Sequence, residues 1–256
     1  MRPSVRAAFV GFTSPMEGVV PWMYLDIKGY VTVAIGNLVD DMESMTPPES
    51  VLAMPFVDLK GNPATRAQIA EAWRTVKNEK RLARQGYRAA EFVTHLRLTE
   101  EGIERVVFAK LDEMNAELVR RFPMFEEWPA DAQLATLSMA WACGPWFRFP
   151  ALEGYLRALD FDGAVLQCRI NEEGNPGLRP RNLANKRLFA NASRVLALGL
   201  DPDVLYYPRT VEDDIVTQPE IANPASEPTI YAAAPEQSIL HPIPDTLEAY
   251  RESKKG

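Results

Sequence analysis

Histidine and cysteine are scarce in this chain of 256 residues, which has two of each. The histidines, His95 and His241, do not stand at the spacing of imidazole ligands, which argues against a zinc site. Two cysteines, Cys143 and Cys168, are too few for a disulfide scaffold. Both lie in apolar segments of helical character, so we expect buried thiols, and a pairing between them stays open. We therefore expect no metal or organic cofactor.

The chain also lacks excess positive charge and long apolar runs. Its formal net charge is −7, so we expect no broad attraction to nucleic acid or to anionic membranes. The apolar run after Arg2 and Arg6, AAFVGF, is shorter than that of a secretory signal peptide and has no small-residue cleavage site. No later run is long enough to span a membrane. We expect a soluble protein made in the cytoplasm without a signal peptide.

The first third of the chain combines helical and strand patterns. A short helix is predicted over 4–14, followed by a break at 15–18. β-Branched and aromatic residues then alternate on both sides of Lys28-Gly29, which predicts a hairpin. The apolar spacing within 65–85 predicts a helix.

The middle of the chain is helical in pattern. A long helix is predicted from Thr99 to the proline at position 123, with its apolar residues on one face. The segment 130–144 is apolar on nearly every side, as expected of a central buried helix. Three more helices are predicted at about 151–158, 161–171 and 181–198. These patterns predict an α+β, mainly helical fold.

The sequence changes character after about residue 208. Residues 209–256 carry four Lys and Arg against nine Asp and Glu, and prolines recur through them. No helical or strand period is sustained there. We interpret 209–256 as a Pro-rich acidic extension that is either an extended arm or a disordered segment.

Two carboxylates, Glu17 and Asp26, are the first candidates for chemistry. A Glu at the end of a helix and an Asp beside a hairpin turn can face each other across a cleft. Hydrolysis of a glycosidic bond needs one carboxyl group that gives a proton and one that stays ionised. Apolar neighbours precede Glu17, whereas Asp26 lies at a turn and is expected to be more solvated. Spacing alone would leave both as ordinary surface carboxylates.

These carboxylates belong to a longer motif between residues 17 and 38. Acidic, aromatic, hydroxyl and glycine residues follow one another in it at fixed spacing. The motif comprises Glu17-Gly18, then Tyr24 and Asp26 after a gap that leaves eight residues between the two carboxylates, then Gly29-Tyr30, Thr32 and Ile35-Gly36.

This motif resembles that of the phage-type lysozymes, glycoside hydrolase family 24. The segments 138–147 (SMAWACGPWF) and 177–189 (GLRPRNLANKRLF) also resemble the buried central helix of that family and its Gly-Leu-x-x-Arg segment. The resemblance covers most of residues 1–200. It implies a two-lobed lysozyme-like fold, with a small N-terminal β-hairpin lobe and a helical lobe, in a catalytic domain at 1–208 with an insertion at about 40–97.

The resemblance implies a muramidase, which hydrolyses the β-1,4 bond between N-acetylmuramic acid and N-acetylglucosamine in bacterial peptidoglycan. Glu17 would be the general acid. Asp26 and Thr32 would hold the attacking water on the opposite face of the sugar, which is the inverting arrangement. The Thr32 hydroxyl can both donate and accept a hydrogen bond, as this role requires.

The chain departs from the family pattern at several positions around the cleft. Ala34 and Asn37 stand where the family has the first Gly and the His of Gly-Ile-Gly-His. Ala142 stands where many members have Asn or Gln, and Asn182 and Asn185 replace an Arg and a Glu. The three catalytic positions are unchanged.

Several polar and aromatic residues could bind the sugars. Aromatic faces suit the apolar faces of pyranose rings, and an arginine could reach a substrate carboxylate. Trp141, in the apolar central helix, is expected to be a core residue instead. The candidate substrate-binding residues are Tyr24, Tyr30, Asn37, Trp146 and Arg181.

The most basic stretch of the chain is 74–88 (RTVKNEKRLARQGYR). It could contact anionic groups of the cell wall or outer membrane, although a solvated helix face is the simpler interpretation.

Two biological uses fit a muramidase of this kind. It could be a phage endolysin, or a secreted antibacterial effector that acts in the periplasm or cell wall of a rival cell. The acidic composition and the C-terminal extension favour the effector, for which we expect an immunity protein or a secretion carrier as partner. The alternatives are a glycan- or partner-binding module that has lost catalysis, and a lytic transglycosylase, which needs only a lone Glu.

Overall fold

A computed structural model describes residues 1–40 and 44–217 of this protein. This part of the chain is mainly helical and contains two small antiparallel sheets, so the predicted mainly helical α+β class is confirmed. Short 3-10 helices lie at Tyr87–Ala90 and Phe125–Glu127. The α-helices in the described residues are Pro3–Glu17 (α1), Glu49–Leu52 (α2), Arg66–Asn78 (α3), Leu82–Gln85 (α4), Glu100–Arg121 (α5), Ala130–Cys143 (α6), Pro150–Arg157 (α7), Phe161–Gln167 (α8), Leu178–Leu198 (α9) and Val211–Thr217 (α10).

The larger sheet has three antiparallel strands in the order β1-β2-β3, and β1 and β2 form the predicted hairpin around Lys28-Gly29. A second sheet pairs two short strands from either end of the 56–98 segment. The strands are Val20–Leu25 (β1), Val31–Ala34 (β2), Asn37–Leu38 (β3), Phe56–Val57 (β4) and Arg97–Leu98 (β5).

Helix α1 is longer than predicted. The sequence predicts a break at Pro15, but the helix continues through this residue to Glu17 and is followed by Gly18, whose φ is 76°. A proline inside a helix removes one backbone hydrogen bond, and one such loss so close to the end does not stop the final turn. Glu17 is therefore the last helical residue, directly before β1.

Helix α6 is the buried centre of the helical part, as its apolar composition predicts. Every residue from Ala130 to Ala140 is buried. Helices α9, α1 and α5 all pack against it. The helix leaves the core at its C-terminal end, so Cys143, which we expected to be buried, is exposed. Cys168 is buried as expected, and both thiols are free.

Helix α8 ends at Gln167 rather than at the predicted residue 171. The Asn182 side chain accepts a hydrogen bond from the N–H of Ile170 at 2.9 Å and donates one to its carbonyl at 2.8 Å. These two bonds hold the Ile170 backbone in a non-helical path, which sequence periodicity does not encode.

The segment 40–97 packs against the larger sheet through α3. The indole of Trp73 donates to the carbonyl of Val39 at 2.8 Å. The ammonium of Lys77 lies 2.5 Å from Oδ1 of Asp40, and the two side chains are only 4% and 0% exposed. Asp40 also accepts from the N–H of Val31 in β2. This buried ion pair fixes α3 to the sheet, because separating the charges would leave both without compensation.

The packed part of the chain continues past residue 208, where we placed the domain boundary. Helix α10 contacts α9, and Val211 is fully buried. The rest of the predicted extension, 218–256, lies outside the described residues. No helix within 1–40 and 44–217 is long and apolar enough to cross a membrane.

Asp131, in the first turn of α6, joins this helix to α9 and to the segment that follows α9. Its carboxylate accepts hydrogen bonds from the backbone of Tyr206 and Tyr207 and from the Asn191 amide, at 2.8 to 3.1 Å. The side chain is fully buried, and this burial raises its pKa to about 6.

We expect Asp131 to make the protein less stable as the pH rises from 4 to 6. The folded state keeps the Asp131 proton up to about pH 6, whereas the unfolded state releases it near pH 4. Urea unfolding from pH 4 to pH 7 should therefore show the stability of wild type relative to Asp131→Asn falling by about 2 kcal/mol. A difference that does not change with pH would contradict this assignment.

Candidate active site

Glu17 and Arg181 form an ion pair between the end of α1 and the first turns of α9. Nη2 of Arg181 donates to Oε1 of Glu17, and the two side chains are 1% and 30% exposed. The apolar surroundings that the sequence suggests for Glu17 are thus replaced by a buried cation. The pair brings together two residues 164 positions apart in the chain.

Arg181 is held on its other side by α6. Its Nη1 donates to both the carbonyl and the hydroxyl of Ser138, each at 2.9 Å. The guanidinium is planar, so these bonds fix the direction in which Nη2 meets Glu17. We expected Arg181 to bind substrate, and it does line the cavity beside Glu17, but its side chain is 1% exposed and already bonded, so its observed contacts position Glu17.

A cavity of about 310 Å³ opens beside this ion pair. Glu17 and Arg181 line it, and Trp141 forms another wall. Trp141, which we expected to be a core residue, is half-buried: it packs against the core, and its indole donates to the carbonyl of Ile35 at 3.1 Å. The remaining lining residues come from the end of α1, the β2–β3 turn, α6 and the start of α9: Met16, Gly36, Ala142, Asn175, Gly177 and Leu178.

Asp26 lies in the hairpin loop directly after β1. Its Oδ1 accepts from the N–H groups of Lys28 at 2.8 Å and Tyr30 at 2.9 Å. Gly29, with a φ of 83°, allows the loop to close within this short span. Oδ2 accepts no hydrogen bond from the described residues. One oxygen of Asp26 therefore fixes the loop, and the other is available to a ligand or to water.

Thr32 lies directly opposite Tyr24 in the β1–β2 pairing. Paired residues project from the same face of a sheet, and Asp26, two residues after Tyr24, follows that face. The Thr32 side chain is buried, and its hydroxyl donates to the carbonyl of Tyr30 at 3.3 Å. The strand pairing thus brings Thr32 and Asp26 to the same face of the hairpin.

Tyr24 connects this face of the sheet to Glu17. Burial raises the pKa of Tyr24 to about 12, and the negative charges of Asp26 and Glu17 add to that rise. Both carboxylates therefore lie within electrostatic range of one phenol group. Asp26, Thr32 and Tyr24 do not line the cavity beside Arg181, so these hairpin residues form a second half of the candidate site.

The β2–β3 turn passes beside the Glu17 carboxylate. A Cβ on Gly36 would lie 3.9 Å from Oε2 of Glu17. Ala34 has a φ of 57°, in the left-handed region that favours glycine. Ala34 stands where the resembling lysozyme motif has a glycine, and a glycine at this position would relieve the backbone strain.

Asn37 is buried beneath this turn and does not reach the cavity. Its Oδ1 accepts from the N–H of Ile35 at 3.2 Å, and its amide donates to the carbonyl of Val106 in α5 at 3.5 Å. We expected Asn37 to bind substrate. The side chain instead joins the turn to α5, because both ends of its amide are bonded to the backbone.

Two other expected sugar contacts lie away from the cavity. Tyr30 is half-buried, and the ammonium of Lys77 lies 5.9 Å from its ring centroid. Trp146 is 60% exposed in the segment after α6, and it does not line the cavity. Neither residue therefore belongs to the group of side chains that lines the cavity beside Glu17.

Sequence patterns missed the partnership of Arg181 with Glu17. A signal was present: Arg181 lies seven residues before Leu188 on the face of α9 that also carries Ala184 and the other buried residues. A charged residue on an apolar helix face requires a buried partner. The sequence does not say which carboxylate that partner is.

Comparison with protein-family models and with curated proteins finds no match to this chain. In the described residues, no group of three or more metal-ligating side chains lies close enough together to hold a metal ion.

We expect Glu17 and Arg181 to stabilise each other more than an exposed ion pair does. A double-mutant cycle with Glu17→Gln and Arg181→Met, followed by urea unfolding, should give a coupling of about 2 kcal/mol. The matched control is the exposed pair Arg194 and Glu212, with Arg194→Met and Glu212→Gln, for which about 0.5 kcal/mol is expected. Equal couplings for the two pairs would show that the Glu17 pair is not effectively buried.

Proposed function

We propose that this protein is a peptidoglycan hydrolase of the phage-type lysozyme family. It would cleave the β-1,4 bond between N-acetylmuramic acid and N-acetylglucosamine. One observation carries the proposal: Arg181 of the Gly177-Leu178-x-x-Arg181 segment binds Glu17 of the first motif beside a cavity. The segments 17–38 and 177–189 each resemble the phage-type lysozymes. The ion pair joins them through Glu17, the residue that the resemblance implies to be the general acid.

The two-lobed lysozyme-like fold is part of this proposal. The hairpin β1–β2 and the helices around α6 would form the two sides of a cleft. Glu17 lies at the junction, because α1 ends there and β1 begins three residues later. A glycan strand lying along this junction would have Glu17 on one side of its scissile bond and Asp26 on the other.

In the proposed mechanism Glu17 protonates the leaving oxygen. The bond from Arg181 to Oε1 fixes the carboxyl group, which leaves Oε2, the oxygen beside Gly36, for the substrate. Asp26 would accept a proton from the attacking water through Oδ2, while Oδ1 stays bonded to the loop N–H groups. The Thr32 oxygen, already a donor to the Tyr30 carbonyl, would accept the second hydrogen of that water. This arrangement inverts the anomeric centre.

We expect purified protein to release reducing ends from peptidoglycan and Glu17→Gln to lose that activity by at least about 100-fold, because an amide cannot act as a general acid. Glu127→Gln, an exposed glutamate in the 3-10 helix after α5, is the matched control and should remain active. Mass spectrometry of the digest provides the measurement. Absence of new reducing ends, or full activity of Glu17→Gln, would refute the proposed function.

A binding module without catalysis is the second candidate. It is favoured by the burial of Thr32, whose hydroxyl is already bonded to the backbone, and by the position of Asp26 outside the cavity. The same digest separates the candidates: retention on insoluble peptidoglycan with no product indicates a binding module, and anhydro-sugar ends indicate a lytic transglycosylase.

We further propose that the protein acts as a secreted antibacterial effector in the periplasm of a rival cell, with an immunity protein or secretion carrier as its partner. Its substrate lies outside the inner membrane, so we expect a version directed to the periplasm by an added signal to stop growth and lyse cells. The version without that signal should be harmless. Equal toxicity of the two versions would refute a cell-wall target, and growth curves provide the measurement.

A further inference from the structure

The 3-10 helix Tyr87–Ala90 packs against β1 beside the candidate site. The indole of Trp22 donates to the carbonyl of Tyr87 at 2.9 Å, which anchors this short helix to the strand. Gly86, with a φ of 81°, allows the sharp turn between α4 and the 3-10 helix. The backbone at Tyr87 is therefore fixed relative to β1 by a hydrogen bond.

The Tyr87 ring extends the aromatic surface of Tyr24 outward. The two ring centroids are 6.2 Å apart in an edge arrangement, and Tyr87 is 42% exposed. Tyr24 is itself within electrostatic range of Glu17 and Asp26. The Tyr87 ring thus contacts a phenol that is itself influenced by the charges of both carboxylates.

Positive charge follows directly after this ring. The guanidinium of Arg88 lies 5.9 Å from the Tyr87 centroid, and Arg88 is exposed with no acidic partner in the described residues. Four cations and no acidic residue occur in 80–88, in a protein whose net charge is −7, although Glu79 directly precedes them and pairs with Arg81 at 2.9 Å. Lys80, Arg81 and Arg84 surround a further open cavity of about 400 Å³.

We propose that Tyr87 and Arg88 form an additional part of the substrate site, in which Tyr87 stacks on a sugar ring and Arg88 binds a carboxylate of the attached stem peptide. This inference rests on the proposed function. A pyranose ring presents C–H groups that suit an aromatic face. A guanidinium binds a carboxylate through two parallel hydrogen bonds. Peptidoglycan carries both groups on one strand, whereas chitin-like glycans carry only the sugars.

The arrangement of these residues favours a substrate-binding role for Tyr87 and Arg88 over the simpler interpretation of a solvated helix face. Exposed cations alone would need no ligand, but here Trp22 holds the backbone at Tyr87 to β1, and Arg88 directly follows Tyr87 at the outer end of the aromatic surface. A strand bound at Glu17 and continuing past Tyr24 would meet Tyr87 first and Arg88 next. The stem peptide is the acidic part of such a strand.

The test uses full-length protein with Glu17→Gln, so that the substrate stays intact. Binding is measured to glycan strands that carry stem peptides and to the same strands after an amidase has removed the peptides. On the Glu17→Gln background, Arg88→Ala should weaken binding to the peptide-bearing strands about tenfold and leave binding to the stripped strands unchanged. Tyr87→Ala should weaken binding to both strands about tenfold, and Tyr87→Phe, which keeps the ring, should not.

Two controls match these variants. Arg120 is an exposed arginine in the last turn of α5, and Phe92 is an exposed aromatic residue of the same segment as Tyr87. Arg120→Ala and Phe92→Ala should bind both strands normally. Unfolding by urea checks that each variant is folded.

Each other outcome overturns the inference. If Arg88→Ala binds the peptide-bearing strands as tightly as its parent, Arg88 has no part in the substrate site. If it loses binding equally to both strands, it does not recognise the stem peptide. If Tyr87→Ala binds both strands as tightly as its parent, Tyr87 does not stack on a sugar ring. The proposed function fails separately, when wild-type protein releases no reducing ends from either strand.

Discussion

The buried guanidinium of Arg181 is the constraint on which the candidate site depends. An uncompensated charge in a protein interior is strongly unfavourable, so the side chain must meet a carboxylate and satisfy its remaining N–H groups. Glu17 and Ser138 supply these partners. The end of α1, the middle of α6 and the start of α9 are therefore held at one point, and the carboxyl group proposed as the general acid is fixed there.

The other half of the site is built by a different kind of interaction. Strand pairing places Tyr24 opposite Thr32, and hydrogen bonds within the loop hold Asp26 at the end of the same face. The buried pair of Lys77 and Asp40 fixes α3 to this sheet. The two halves thus depend on separate buried charges, and the pKa of Tyr24, which burial raises, is raised further by a carboxylate from each half. Such a division would suit the proposed cleft, in which the two halves approach a glycan strand from opposite sides.

A protein that is acidic overall but carries a basic segment at 80–88 can bind an acidic polymer there without attracting anions over its whole surface. Its net charge is −7, yet 80–88 carries only positive charge among its ionisable groups. Exposed charges act over about 10 Å at moderate salt, so a local cationic edge can act on a strand that lies against it. The segment 40–97 resembles an insertion in sequence, and in the structure it supplies both Tyr87 and the anchor of the sheet.

The sequence alone determined the elements: the hairpin at Lys28-Gly29, the central helix α6 and the long helix α5 all follow from local periodicity and turn residues, which act over a few positions. Tertiary structure alone decided the contacts between distant residues. It paired Arg181 with Glu17, bonded Asn37 to α5, left Trp146 outside the cavity and continued α1 through Pro15. The physical reason is that a buried charge or amide is satisfied by whichever group the fold brings near it, and no local pattern specifies a partner 164 positions away.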